Sequence, residues 1–329
     1  MVSHPPLLDR ALYNALWLGE HFAGSSVGDR YFAPARRLVN LRVIAGLRER
    51  KPVRLQPVKV LEGPGIKPRV REFIRRQIPV VIKGAAGRWP CVGHWSPEFF
   101  AREYGDFPIE FDSLGTGLTR STFEDFVPRL LSPKGSGEYA RFSPIVHEHP
   151  ELKDDLDVGW FEQFKSRLEF WVARQLFIGG PKTSSKLHAA FISNFFVQIH
   201  GRKRWVLFSP VFNSAFMPPV DRSTTISCSR EWESPSFEED SLFSRIQGFE
   251  TELDPGDILF NPPFFWHQVE NLTVSIGLSC RYFSATNAML SSPMLAMLTA
   301  FSRNPNALHA LLKSRRGEYD VDLSPTEMA

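Results

Sequence analysis

The feature that most constrains this chain is a change of hydrophobic period near Leu176. Before it, apolar residues recur at helical intervals in LLDRALYNALWLGEHF and RRLVNLRVIAGLRER. After it they alternate. In TVSIGLSCRYF, Val274, Ile276, Leu278, Cys280 and Tyr282 fall on one face, and Ser275, Gly277, Ser279 and Arg281 on the other. Successive strand side chains point to opposite faces, so such a segment buries one row in a core and leaves the other row available for chemistry. SNFFVQIH and GRKRWVLFSP read as two strands joined by a tight turn at Gly201. DPGDILFNPPFFWHQVEN reads as a turn, a short strand, a proline-rich turn and a histidine.

The remaining segments are assigned by the same rules. The chain is helical to about Arg50, where Pro52 and Pro57 end it. PVVIKGAAG predicts a strand from Pro79, and SPEFFAREYG a short helix capped by Ser96. Residues 107–157 mix short strand-like and helix-like pieces, with KGSGEY as a loop. WFEQFKSRLEFWVARQ, Trp160 to Gln175, predicts an aromatic-rich helix. Residues 211–250 predict a long polar insertion suited to a lid or substrate loop. Met289 to Lys313 returns to a helical period, to cover a barrel end or form a homodimer. Many short strands and turns also suit the 26 prolines and 22 glycines, which are spread without a repeat.

Composition removes several classes. A hydrophobic fraction of 43% supports a substantial core rather than a disordered chain. No segment approaches the roughly 20 apolar residues that span a bilayer, and the first residues lack a signal-peptide pattern, which predicts a cytoplasmic location. Cys91, Cys228 and Cys280 are too widely separated for a CxxC knuckle and predict buried thiols. Basic residues are dense from Arg36 to Arg76, either as a solvated helical surface or as a face for an acidic partner. No GxSxG, Walker or GxGxxG motif is present.

Two histidines, His188 and His267, stand at the edges of strand signals. A small barrel brings such edges together around a metal; two hydrogen-bonded core histidines would show the same pattern. HEHPELKDDLD, His147 to Asp157, reads as a solvated polar connection, and His200 as a turn residue. Arg281 shares a face with Ser279 and either holds an anionic substrate group or makes a salt bridge.

PVVIKGAAGRWPCVGHWSPEFF, LFIGGPKTSSKLH followed by NFFVQIHGRKRWVLFSP, and PGDILFNPPFFWHQVENL together resemble the cupin-like branch of the JmjC superfamily, over about Pro79 to Phe283. The resemblance implies a mainly β fold, a double-stranded β-helix or jelly-roll at 56–285, with a helical extension at 1–55 and a helical tail at 286–329. It also implies an oxidative enzyme that uses Fe(II), 2-oxoglutarate and O2 on an aliphatic C–H bond. By the same resemblance His188 and His267 are metal ligands and Lys203 pairs with the far carboxylate of 2-oxoglutarate. Ser185, Asn194 and Ser279 surround that co-substrate, and Phe264, Phe265 and Trp266 either pack around the metal or are ordinary core aromatics.

The family's carboxylate two residues after the first histidine is replaced here by Ala190. Three readings follow. The vacancy admits chloride to the iron, as in the related radical halogenases; or the site is degenerate and the barrel is a binding module; or a remote carboxylate or a water completes the coordination and hydroxylation persists. An alanine substituted for a native acid would look the same. The substrate is left open among a small molecule, a carrier-tethered acyl group, a lipid and a protein side chain.

Overall fold

The computed structural model describes residues 4–113, 117–132, 137–220, 222–229, 241–303 and 306–316, with 236, 238 and 318. Two mixed β-sheets face each other. The smaller has six strands in the order Gln56–Pro57, Gly248–Leu253, Lys203–Phe208, Trp266–Asn271, His188–Ala190 and Thr225–Ser227. The larger has nine, in the order Lys59–Leu61, Val80–Ile82, Ile258–Asn261, Ser193–His200, Ser275–Phe283, Phe170–Gly179, Glu138–Ser143, Pro108–Ser113 and Leu118–Thr122. From Phe170 onward the strands cross between the sheets and pair antiparallel, which winds the chain into a jelly-roll.

The alternation of Ser275–Phe283 is satisfied as its sequence requires. Ile276, Leu278, Cys280 and Tyr282 join the core on the outer face of the larger sheet, while Ser279 and Arg281 turn inward to a cavity. Strand Ser193–His200 reaches strand Lys203–Phe208 through Gly201, whose φ is +63°. A Cβ there would lie 2.0 Å from the Val274 carbonyl oxygen, so the turn requires glycine.

Three cores result. One lies between the larger sheet and the segments that cover it, including helices Lys67–Arg75, Pro97–Glu103 and Phe123–Leu131. A second lies under terminal helices Leu7–Ala23, Ala33–Arg48, Pro293–Ala300 and Ala307–Arg315, where Tyr13, Trp17, Val43 and Leu311 share a cluster with Val206, Phe208 and Trp266 of the smaller sheet. The third fills the space between the sheets with Phe177, Phe196, Trp205, Leu207, Leu259 and Val269. No helix among the described residues is long and apolar enough to cross a membrane.

Several expectations are corrected. Trp160–Gln175 is not one helix: only Val158–Glu162 is helical, and Phe170–Gly179 is a strand paired with Ser275–Phe283 along its length. Its aromatic spacing mimics a helix, but burial and cross-strand pairing override that local pattern. In KGSGEY, Lys134–Ser136 lie outside the described residues, and Glu138 and Tyr139 open a strand rather than extend a loop. The insertion expected to reach residue 250 ends earlier, because Gly248–Leu253 is a barrel strand; residues 221, 230–235, 237, 239 and 240 within it lie outside the described residues. Within the basic stretch, Arg36 is not on the surface. It is 3% exposed and binds Glu20 at 2.6 Å, the Tyr13 hydroxyl at 2.8 Å and the Pro218 carbonyl at 2.8 Å. That network ties helices Leu7–Ala23 and Ala33–Arg48 to the segment that follows strand Lys203–Phe208.

Candidate metal and dicarboxylate site

His188 and His267 are direct cross-strand partners. Their rings lie 4.2 Å apart between centroids, at an interplanar angle of 53°. Each Nδ1 is 2.8 Å from the carbonyl oxygen two residues earlier, Lys186 for His188 and Phe265 for His267. A carbonyl only accepts, so each Nδ1 carries the proton and each Nε2 keeps its lone pair. Burial drives both rings toward the neutral form. His188 is held well below the ordinary imidazole range by burial, then by His267, with Arg281 and Arg141 adding to the effect; His267 is pushed down to about 4, mainly by burial. Two oriented, neutral imidazoles are what a divalent cation requires of histidine.

Lys203 is wholly buried. Its ammonium group donates to Asn271 Oδ1 and sits 5.0 Å from the centre of the Tyr139 ring. Asn271 is held in turn by Thr183 and Ser275. No carboxylate among the described residues pairs with Lys203, and burial pushes its pKa down to about 7. Gly277 makes room for it: a Cβ at that position would lie 2.3 Å from Phe196 Cζ and 3.3 Å from Lys203 Cε. The indole N–H of Trp205, whose ring stacks on His267 at 5.5 Å, is buried and lacks an acceptor among the described residues.

A cavity at one end of the inter-sheet core is lined by His188, His267, Ser185, Asn194, Ser279 and Arg281. Ser185 Oγ accepts from the Val269 N–H at 3.0 Å, and the Ser279 hydroxyl donates to Asn194 Oδ1 at 2.9 Å. These six residues, expected around one site, thus share one cavity, whereas Lys203 is not among its described lining residues and contacts the ring of Tyr139, which is. Ala190 lies two positions along the His188 strand, opposite Thr225. Among the described residues no three His, Cys, Asp or Glu side chains gather into a metal cluster, so no remote acid there stands in for the missing one. Phe265 faces the inter-sheet core near Trp205, but Phe264 and Trp266 pack outward under the terminal helices, with the Trp266 indole N–H donating to Asn213 Oδ1 at 2.7 Å. Alternation around His267 forbids all three aromatics from facing one ion.

Tyr139, Arg141 and Phe142 also line the cavity and were missed as site residues in the sequence. Their one legible signal is the i, i+2 spacing of Tyr139 and Arg141 in a short segment next to a glycine-rich stretch. His147 and His149 remain outside the site, and His149 pairs with Glu151 at 3.1 Å.

The residues present fit a divalent cation bound through two imidazoles beside an anion that meets Lys203 and the Trp205 N–H. Among the described residues there is no third protein ligand. A jelly-roll with two histidines registered across its smaller sheet defines the cupin class, and the chain belongs to it: the cupin-like domain matches residues 67–289. This places it in the cupin and JmjC oxygenase superfamily. The chain is 30% identical over 215 residues to lysine-specific demethylase 8 of Xenopus tropicalis, covering 63% of this chain and 48% of that protein. It is 22% identical over 245 residues to JmjC domain-containing protein D of Dictyostelium discoideum, covering 67% and 55%. With tRNA wybutosine-synthesizing protein 5 of Gallus gallus it shares 25% identity over 242 residues, covering 64% and 72%. The chain spans about half the length of the demethylase relatives it matches.

Proposed function

We propose that the protein is an oxidative enzyme dependent on Fe(II) and 2-oxoglutarate that acts on an aliphatic C–H bond, with the coordination position beside Ala190 taken by chloride. One observation carries the reading: two neutral, carbonyl-oriented histidines lie in the same six-stranded sheet as a buried lysine, four strand positions from His267's partner Leu207, that has no carboxylate partner among the described residues. A buried ammonium is costly unless paired, and a dicarboxylate ligand supplies the pair.

In this reading His188 and His267 hold the metal through Nε2, and Lys203 holds the far carboxylate of 2-oxoglutarate, with Ser185, Asn194 and Ser279 around the co-substrate. Bound together with O2, the metal and 2-oxoglutarate supply the oxidant for an unactivated C–H bond. The chain's part is positional and electrostatic. The carbonyls of Lys186 and Phe265 fix the tautomer and aim of the two rings, so no proton must leave before a metal binds. Trp205, Phe196 and Phe177 wall the cavity and exclude water. At Ala190 the site lacks one negative charge, while Arg141 and Arg281 make its surroundings positive. A halide there restores the charge, and chlorination is then the sharper outcome and hydroxylation the blander one.

The same electrostatics argue against carrying over the specificity of the lysine-directed relatives. The cavity presents two guanidinium groups and no acid among its described lining residues, and so opposes a cationic side chain. The lack of a third His, Cys, Asp or Glu beside the pair among the described residues favours a second reading, a dicarboxylate-binding module without catalysis.

Anaerobic titration of the purified protein with Fe(II) and 2-oxoglutarate, with and without chloride, separates these readings. A visible charge-transfer band that shifts with chloride is expected. A band indifferent to chloride would remove the halide from the iron, and no band at any iron concentration would leave only the binding module.

A further inference from the structure

A second cavity, of about 220 Å³, lies where strand Phe170–Gly179 meets helices Ile145–Glu148 and Ala307–Arg315. Among the described residues it shares no wall with the cavity of His188 and His267. Four consecutive strand residues, Trp171 to Arg174, line it, whereas a regular strand offers only alternate residues to one face. A bulge is the reason. Pairing with Ser275–Phe283 slips between Arg281 and Tyr282, and Val172 is left without an opposite residue.

The charges of this cavity are unbalanced. Arg174 stacks over Trp171 at 4.8 Å, and its buried Nε has no acceptor among the described residues. Lys153, half-buried, arrives from the short helix Pro150–Asp155. Neither cation makes an ion pair among the described residues. Glu162 is already engaged, because it accepts from the Trp171 indole N–H and pairs with Lys165 at 3.2 Å. Glu318, exposed, is the one carboxylate among the described lining residues and pairs with neither cation. His147 is held below the ordinary imidazole range by burial and then by Lys153, so it adds no charge near pH 7. Two cations less one carboxylate leave the described lining with one net positive charge, over an apolar floor of Val146, Val172 and Ala173. A guanidinium with a desolvated, unmatched N–H is costly until an acceptor meets it, and its planar fork suits a carboxylate.

We propose that this cavity is a binding site for a small amphipathic carboxylate, whose oxygens meet Arg174 and Lys153 and whose apolar body rests on Val146, Val172 and Ala173. The net charge matches a monoanion. A cavity of roughly 150 Å³ accommodates a benzene ring, so this one has room for a ring that carries a carboxylate. The site is separate from the histidine pair and needs no metal there.

Ligand-observed NMR titration of the metal-free full chain tests it, with benzoate as the probe. Benzoate should bind saturably. Benzyl alcohol, which lacks the charge, and inorganic phosphate, which lacks the apolar body, should each bind about tenfold or more weaker. R174Q and K153Q should each weaken benzoate by about fivefold or more, as expected for loss of a charge-assisted contact. R174K keeps the charge, should retain much of the affinity and controls for folding. K203M should leave benzoate affinity unchanged and R174Q should leave 2-oxoglutarate binding unchanged, so this proposal and the dicarboxylate reading fail separately. The proposal is overturned if benzoate does not saturate, if benzyl alcohol or phosphate binds as tightly as benzoate, if either R174Q or K153Q leaves the affinity unchanged, or if K203M lowers it equally.

Discussion

Substituting Lys203 by methionine probes the site through stability instead of turnover. The buried lysine is held at about 7, against an ordinary value of 10.5. At roughly 1.4 kcal/mol for each tenfold change in proton affinity, that difference corresponds to about 5 kcal/mol of destabilisation once both folded and unfolded chains are protonated, below pH 7. Between about pH 7 and 10.5 the unfolded chain binds more protons here than the folded one, so this lysine makes stability rise with pH. K203M removes the titrating group and fills much of the same volume. In urea denaturation of the ligand-free protein, K203M should exceed the unsubstituted protein in stability by several kcal/mol at pH 6, with the gap closing as pH approaches 10. Saturating 2-oxoglutarate should stabilise the unsubstituted protein at pH 6 and leave K203M unmoved. Parallel pH profiles for the two proteins would refute the argument, because they would mean that Lys203 is solvated or already paired.

Three further substitutions test neighbouring parts of the structure. A190D places a carboxylate two strand positions from His188, on the side of the strand that can reach the same ion; Co(II) titration should show affinity raised about tenfold or more, with any response to chloride lost, and unchanged affinity would count against a metal at this barrel end. G277A drives a Cβ into Phe196 and toward Lys203; the denaturation midpoint should fall by the equivalent of about 1–3 kcal/mol and 2-oxoglutarate binding should weaken. R36A leaves Glu20 buried without its partner and should cost about 3–5 kcal/mol in chemical denaturation, whereas a loss below about 1 kcal/mol would show that the pair is solvated.

The strands that build the site were legible because their side chains divide cleanly between two faces. Ser275–Phe283 could be assigned residue by residue, since each face meets a different environment: Leu278 and Cys280 in the outer core, Ser279 and Arg281 in the cavity. His188 and His267 were visible as strand-edge histidines, and Lys203 through its resemblance to a family motif. Phe170–Gly179 was not legible, because a run dense in aromatics fits a helix as well as a strand until its partner Ser275–Phe283 is known.

What local sequence determined by itself was periodicity, the glycine turn at Gly201 and the missing donor atom at Ala190; these depend on covalent structure and nearest neighbours. Tertiary structure alone decided the direct pairing of His188 with His267, the burial that depresses Lys203, the removal of Arg36 from the surface, and the arrival of Arg141 from a distant strand beside Arg281. Each of these depends on which strands pair across the barrel, and such contacts between residues far apart in the chain leave no trace in any local window of sequence.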